Sequence, residues 1–277
     1  MSSSMEQSAA GEVAAGTLKG LDLVLATQWS QRREWGPFVR WHLRKKFAVM
    51  QALFDQYVVP GSRVMDAGCS DGDALVLARS SGGGRAELWG LDIDRRSLQI
   101  ASARVPTAVL IEGDLLRPPE NVPREYFDVV HEFGAAFLVS DWSILARTYF
   151  SLLRSGGVLL WELPQRWSAA HLSYLLSVAP KVTEADTRLK RILRTFLPSK
   201  YTFASDRAVS EALQTAGCEV LEIEKIGLSY FYCRGLLCTI LDSISRLAGD
   251  ATFESLESLT GRLWPRYSGY YVVLRKK

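Results

Sequence analysis

The chain is poor in cysteine and histidine, nearly balanced in charge, and without a long apolar run, and each shortage excludes something. Its 277 residues hold four cysteines, Cys69, Cys218, Cys233 and Cys238. None stands at CxxC spacing, which speaks against a disulfide framework and for reduced thiols in a cytoplasmic setting. The three histidines, His42, His131 and His171, are scattered and pair with no cysteine at ligand spacing, so no metal is expected. A formal net charge of +3 is too small to indicate nucleic-acid binding. No stretch of roughly 18 apolar residues occurs, which excludes a membrane-spanning helix. Residues 1–16 carry no basic segment followed by an apolar run, and they read as a disordered tail rather than a signal peptide.

What is present is an ordinary globular composition, 48% hydrophobic and 23% charged, enough for one large core. Phe47, Met50, Leu53 and Phe54 recur at helical spacing until Pro60-Gly61 stops the pattern. Apolar runs then alternate with helix-length intervals. Strands are predicted at 63–67, 87–93, 108–112, 127–133 and 158–163, and helices at 74–80, 95–104 and 143–153, the last closed by Ser155-Gly156-Gly157. Such alternation predicts a mostly parallel α/β sheet with helices on both faces. Farther on, 165–200 read as helical, 205–216 as a helix, 218–226 as a strand and 269–274 as a final strand.

The run Val64-Met65-Asp66-Ala67-Gly68-Cys69-Ser70-Asp71-Gly72 describes a buried strand breaking into a tight glycine turn before a helix, an arrangement that brings backbone close to a bound small molecule. The dinucleotide fingerprint G-x-G-x-x-G is not met, because Ser70 stands in the middle and no third glycine follows. Asp66 at the strand end would repel a pyrophosphate but suits a ligand carrying an ammonium and a sulfonium. That favours S-adenosylmethionine over NAD. A second acid, Asp92, ends the next strand 26 residues later and can accept both ribose hydroxyls, with Ile93 as an apolar wall for adenine. Asp94 suits the cap of the following helix. Asp114, beyond the third strand, can accept the adenine amino group while Leu115 packs on the ring; a plain turn aspartate is the alternative.

These segments, with Phe127-Asp128-Val129-Val130 and Leu152-Leu153-Arg154-Ser155-Gly156-Gly157-Val158-Leu159, resemble the class I S-adenosylmethionine-dependent methyltransferases, especially those of ubiquinone and menaquinone biosynthesis. The resemblance covers about residues 62–164. It implies a Rossmann-like seven-stranded sheet with the last strand antiparallel, and cofactor contacts from Asp66, Gly68, Gly72, Asp92 and Asp114, with Cys69 and Ser70 between them. Ser70 departs from the family's usual glycine.

The acceptor is harder to read. Methyl transfer is an in-line displacement in which alignment and desolvation supply much of the acceleration, and a base is needed only where the acceptor holds a proton. His131-Glu132 ends the fourth strand, where the family's residues face the methionine moiety and the acceptor. His131 is the leading base candidate, with Glu132 beside it. The competing reading is a His–Glu pair that holds the loop or touches the cofactor. Trp29, Trp35, Phe38, Trp41 and His42 lie among arginines and can form a lid over the site, or simply a helix packed on the sheet.

The chain therefore divides into a tail (1–16), an N-terminal helical lid (17–60), an α/β core (61–164), a helical cap (165–200), a core helix and strand (201–227), an apolar cap (228–267) and a final strand (268–277). Residues 188–197 are basic and amphipathic, and 228–247 are largely apolar. A membrane surface, a homodimer partner or the acceptor can each account for them. The expected activity is methylation of a small hydrophobic or amphipathic acceptor, with oxygen preferred as the acceptor atom. A cyclase-like enzyme that uses the cofactor without methylation, and a cofactor-binding partner subunit, are the alternatives. Nucleic acid is not expected as a partner.

Overall fold

The computed structural model describes residues 36–134, 142–163, 218–225 and 270–277, with short stretches between 243 and 258. Seven strands alternate with helices: α1 (Pro37–Tyr57), β1 (Arg63–Ala67), α2 (Asp73–Ser81), β2 (Glu87–Asp92), α3 (Arg95–Arg104), β3 (Val109–Glu112), β4 (Phe127–Glu132), α4 (Trp142–Leu152), β5 (Leu153–Leu163), β6 (Cys218–Lys225) and β7 (Tyr270–Lys276). They form a single sheet of order β3-β2-β1-β4-β5-β7-β6. β1 is parallel to β2 and β4, β2 to β3, and β4 to β5. β7 lies antiparallel between β5 and β6. The mostly parallel sheet is as the alternation of strands and helices predicts, and the antiparallel last strand is as the family resemblance implies. No helix among the described residues is long and apolar enough to cross a membrane.

Strand alternation sorts the core into two layers. On one face Val64, Val129, Leu160 and Val273 meet Phe47, Met50, Leu53 and Phe54 of α1 and Leu75, Val76 and Leu77 of α2. On the other, Met65, Val130, Leu159 and Leu274 meet Leu145, Ala146, Tyr149 and Phe150 of α4. Each fully buried aliphatic or aromatic side chain contributes about 1.5–3 kcal/mol. From Leu43 onward α1 is a core helix. Its first turns behave differently: Phe38 and Trp41 pack on Phe253, with ring centroids 5.1 and 5.3 Å away. Glu254 accepts hydrogen bonds from Trp41 Nε1 at 2.9 Å and Lys45 Nζ at 2.5 Å. The two aromatic residues read as a lid are thus buried against a helical turn of the 228–267 segment.

One boundary differs from expectation. β5 begins at Leu153, directly after α4, and its register with β4 jumps between Phe127↔Leu153 and Val129↔Val158. The intervening Arg154–Gly157 make an irregular step. There a Cβ on Gly157 would stand 2.9 Å from the Phe127 carbonyl oxygen, so only glycine lets the chain pass so close. Trp29, Trp35, His171, the helices read in 165–200 and 205–216, and residues 188–197 and 228–242 lie outside the described residues, as does the His42 side chain.

Candidate cofactor and active site

The turn after β1 is built by backbone geometry that its residues make unavoidable. Gly68 and Gly72 have φ of 83° and 81°, in the left-handed region that favours glycine. A Cβ on Gly72 would lie 3.1 Å from Ala101 Cβ, so the missing side chain also lets the start of α2 rest on α3. The Gly68 and Cys69 N–H groups both donate to the Leu91 carbonyl, which joins the turn to the end of β2. Cys69 is buried and its thiol is pushed far up, chiefly by burial and then by Asp66 and Asp92; it is a packing group, not a nucleophile. Arg104, at the end of α3, donates to the Asp71 carbonyl at 2.7 Å and lies 2.6 Å from Asp73. This clamp on the turn is not apparent in the sequence.

Asp92 ends β2 beside that turn. One carboxylate oxygen accepts from Ser70 N–H and the other from Asp94 N–H, both at 2.8 Å. Each oxygen keeps a lone pair for a further donor. Ile93 is 73% exposed, an apolar side chain left open at the strand end. Asp94 caps α3, accepting from Arg96 N–H at 3.0 Å and from the Ser97 hydroxyl at 2.8 Å. Asp114 is exposed and forms a turn, one oxygen accepting from Leu116 N–H at 2.9 Å, while Leu115 is half-buried against the core. The carboxyl edge of β1, β2 and β3 therefore presents two open acids and an exposed isoleucine around a glycine turn.

The end of β4 is closed and polar. His131 and Glu132 are fully buried and, as neighbours on one strand, leave opposite faces of the sheet. They do not make the side-chain pair that the sequence suggests. His131 Nδ1 is 2.8 Å from Asp66 Oδ1, and Nε2 is 3.2 Å from the Tyr271 hydroxyl. With both ring nitrogens engaged inside the core, the geometry suits the holding role better than the general-base role. Asp66 is likewise 3% exposed, so it lies beneath the turn rather than on its open side.

Beside this group, buried Lys46 pairs with Glu162 at 2.8 Å and stands 3.8 Å above the Phe133 ring. Burial pulls the Lys46 ammonium pKa down, against the opposing pull of Glu162 and Glu132. The sequence does carry a signal for this pair: a lysine on the 43-47-50-54 apolar stripe, and a glutamate inside an apolar strand.

The methyltransferase-domain family matches residues 39–223, more than half of the chain. Solved structures of similar fold include a S-adenosylmethionine-dependent methyltransferase from Mesorhizobium loti, with 19% identity over 83% of this chain and 97% of that one and a TM-score of 0.53. The geranyl diphosphate C-methyltransferase of Streptomyces coelicolor A3(2) is 14% identical over 83% and 80%, with a TM-score of 0.51. Magnesium protoporphyrin IX methyltransferase from Synechocystis PCC 6803 is 14% identical over 86% and 85%, with a TM-score of 0.54. No curated protein matches the chain. The family match, the seven-stranded sheet and the glycine turn beside Asp92 agree, and the chain belongs to the class I S-adenosylmethionine-dependent methyltransferases.

Proposed function

We propose that the chain transfers a methyl group from S-adenosylmethionine to a small, largely apolar acceptor, with oxygen as the acceptor atom. The Asp92 carboxylate carries this reading: two backbone N–H groups already orient it, and it has lone pairs left for vicinal hydroxyls at the mouth of a glycine turn. The remaining residues fit the same ligand. Exposed Ile93 offers an apolar surface for a purine, and Asp114 an open acceptor for its amino group. Buried Asp66 places a negative charge beneath a cationic ligand. When bound, the cofactor supplies a methyl carbon already activated on a sulfonium, which becomes a thioether as the new bond forms. The chain's task is then to align, to exclude water and to hold charge. His131 holds Asp66 in this reading, and a phenolic acceptor reacts as its phenolate, its proton having passed to solvent before the S–CH3 bond breaks and the O–CH3 bond forms.

An apolar acceptor agrees with the largely apolar sequence of residues 228–247. It also agrees with the names of two structural relatives, which act on geranyl diphosphate and on magnesium protoporphyrin IX. The test is incubation of the purified chain with methyl-labelled cofactor and a panel of lipophilic phenols, polyketides and prenyl compounds. Label in the organic product, with the methyl located on oxygen by NMR, is the expected result. Transfer to carbon or nitrogen would correct the acceptor atom. A product of unchanged mass would favour the cyclase-like alternative, and binding without turnover the partner-subunit alternative.

A further inference from the structure

We propose that Tyr271, on the last strand, is a positioning residue for the cofactor site: its hydroxyl fixes the tautomer and orientation of His131, and His131 fixes the Asp66 carboxylate beneath the glycine turn. The inference rests on the S-adenosylmethionine reading above. Asp66 and His131 are register partners on β1 and β4, so their side chains leave the same sheet face. Tyr271 is paired with Glu162 on β5 and reaches His131 from the far side of that strand. All three side chains are buried.

The direction of the hydrogen bonds follows from what each group can do. A carboxylate only accepts, so the 2.8 Å contact assigns the hydrogen to Nδ1. With the imidazole in its neutral form, Nε2 is then the acceptor and the donor 3.2 Å away is the Tyr271 hydroxyl. Burial, followed by Glu162, Glu132 and Asp66, pushes the Tyr271 phenol well above its ordinary range, so it keeps the proton this requires. The imidazole is also held mechanically. Phe54 of α1 lies 5.0 Å from it, and the Phe133 and Tyr271 rings lie near-parallel to it at 6.2 and 6.0 Å. Phenol, imidazole and carboxylate thus form one oriented chain across β7, β4 and β1. It ends two residues before Gly68. A carboxylate fixed there, out of water, acts on a sulfonium more strongly than an exposed one would.

Tyr271→Phe keeps the ring contacts and removes only the hydroxyl. S-adenosylmethionine affinity is expected to fall about two- to tenfold, the range for one hydrogen bond. S-adenosylhomocysteine, which lacks the sulfonium charge, should change less. Asp66→Asn should reduce the same discrimination, and Tyr271→Phe should add little in that background. Equal losses for both ligands, or additive effects of the two substitutions, would overturn the proposal. If a variant does not fold, the 15N shifts of His131 in the unaltered chain decide: the Nδ1–H tautomer supports the proposal, and either the Nε2–H tautomer or a doubly protonated ring refutes it. Should the unaltered chain bind neither ligand, the cofactor reading itself fails, and this inference falls with it.

Discussion

The Asp92 carboxylate stands 2.8 Å from the backbone N–H of Ser70, and this contact makes the end of β2 and the turn after β1 one unit. Because the carboxylate's second oxygen is held by Asp94 N–H, it cannot swing away when a ligand arrives, so little orientation entropy remains to be lost. Asp92→Ala removes both the ligand's acceptor and this tie. The expected outcome is a loss of about 10- to 100-fold in S-adenosylmethionine affinity, with the far-ultraviolet circular dichroism spectrum unchanged. Titration calorimetry reads it. An unaltered Kd would remove Asp92 from the site.

Ser70 adopts φ of 44°, a left-handed conformation that costs an L-residue with a Cβ about 1 kcal/mol. Ser70→Gly relieves that strain, although glycine gives back part of the gain through a freer unfolded chain. A net stabilisation of a few tenths of a kcal/mol, about 1 at most, is expected as a small rise in Tm with cofactor affinity unchanged. A fall in Tm would mean that the serine side chain stabilises the turn.

Lys46 and Glu162 form a buried ion pair between α1 and β5. Lys46→Met leaves the glutamate buried without its ammonium partner, and removing one member of such a pair costs about 3–5 kcal/mol. Lys46→Met combined with Glu162→Leu should recover part of that loss, because Glu162 is then no longer left charged without its partner, while buried Glu132 still lacks the pull of the ammonium. Urea unfolding of the single and double variants compares them. If the double variant is as weak as the single, the pair does not carry the coupling between helix and sheet.

The sheet and the cofactor edge were legible because their signals are local. Val64–Gly72 announces strand, turn and helix within nine residues, and Asp94 sits where a cap belongs. The buried polar cluster was not legible, because its partners lie far apart in sequence: Asp66 meets His131, which meets Tyr271, and Lys46 meets Glu162. Nothing in a single sequence pairs positions that lie 65 to 140 residues apart. The strand alternation around His131-Glu132 could have shown that two adjacent side chains face opposite layers. The packing of Phe253 on Phe38 and Trp41 at the start of α1 was no more legible, because Phe253 is at least as remote.

At the amino-terminal end of β4, in the middle of the sheet, Asp128 is held by two arginines. Its Oδ2 accepts from the N–H and the Nε–H of Arg63, at 2.8 and 3.1 Å, and its Oδ1 accepts from Arg154 Nε. Burial works against the charge, but these donors prevail and hold the carboxyl down at about 2. An unfolded aspartate titrates near 3.9, so between about 4 and 2 the unfolded chain takes up the proton first. Stability from this group is therefore complete above about pH 4 and is lost as pH falls through that window. The site is partly solvated, and screening reduces the effect to on the order of 1 kcal/mol. Asp128→Asn should lower stability at pH 7 by about that amount and flatten the acid limb relative to the unaltered chain. Urea midpoints measured from pH 5 to pH 2 test this, and parallel curves for the two proteins would refute it.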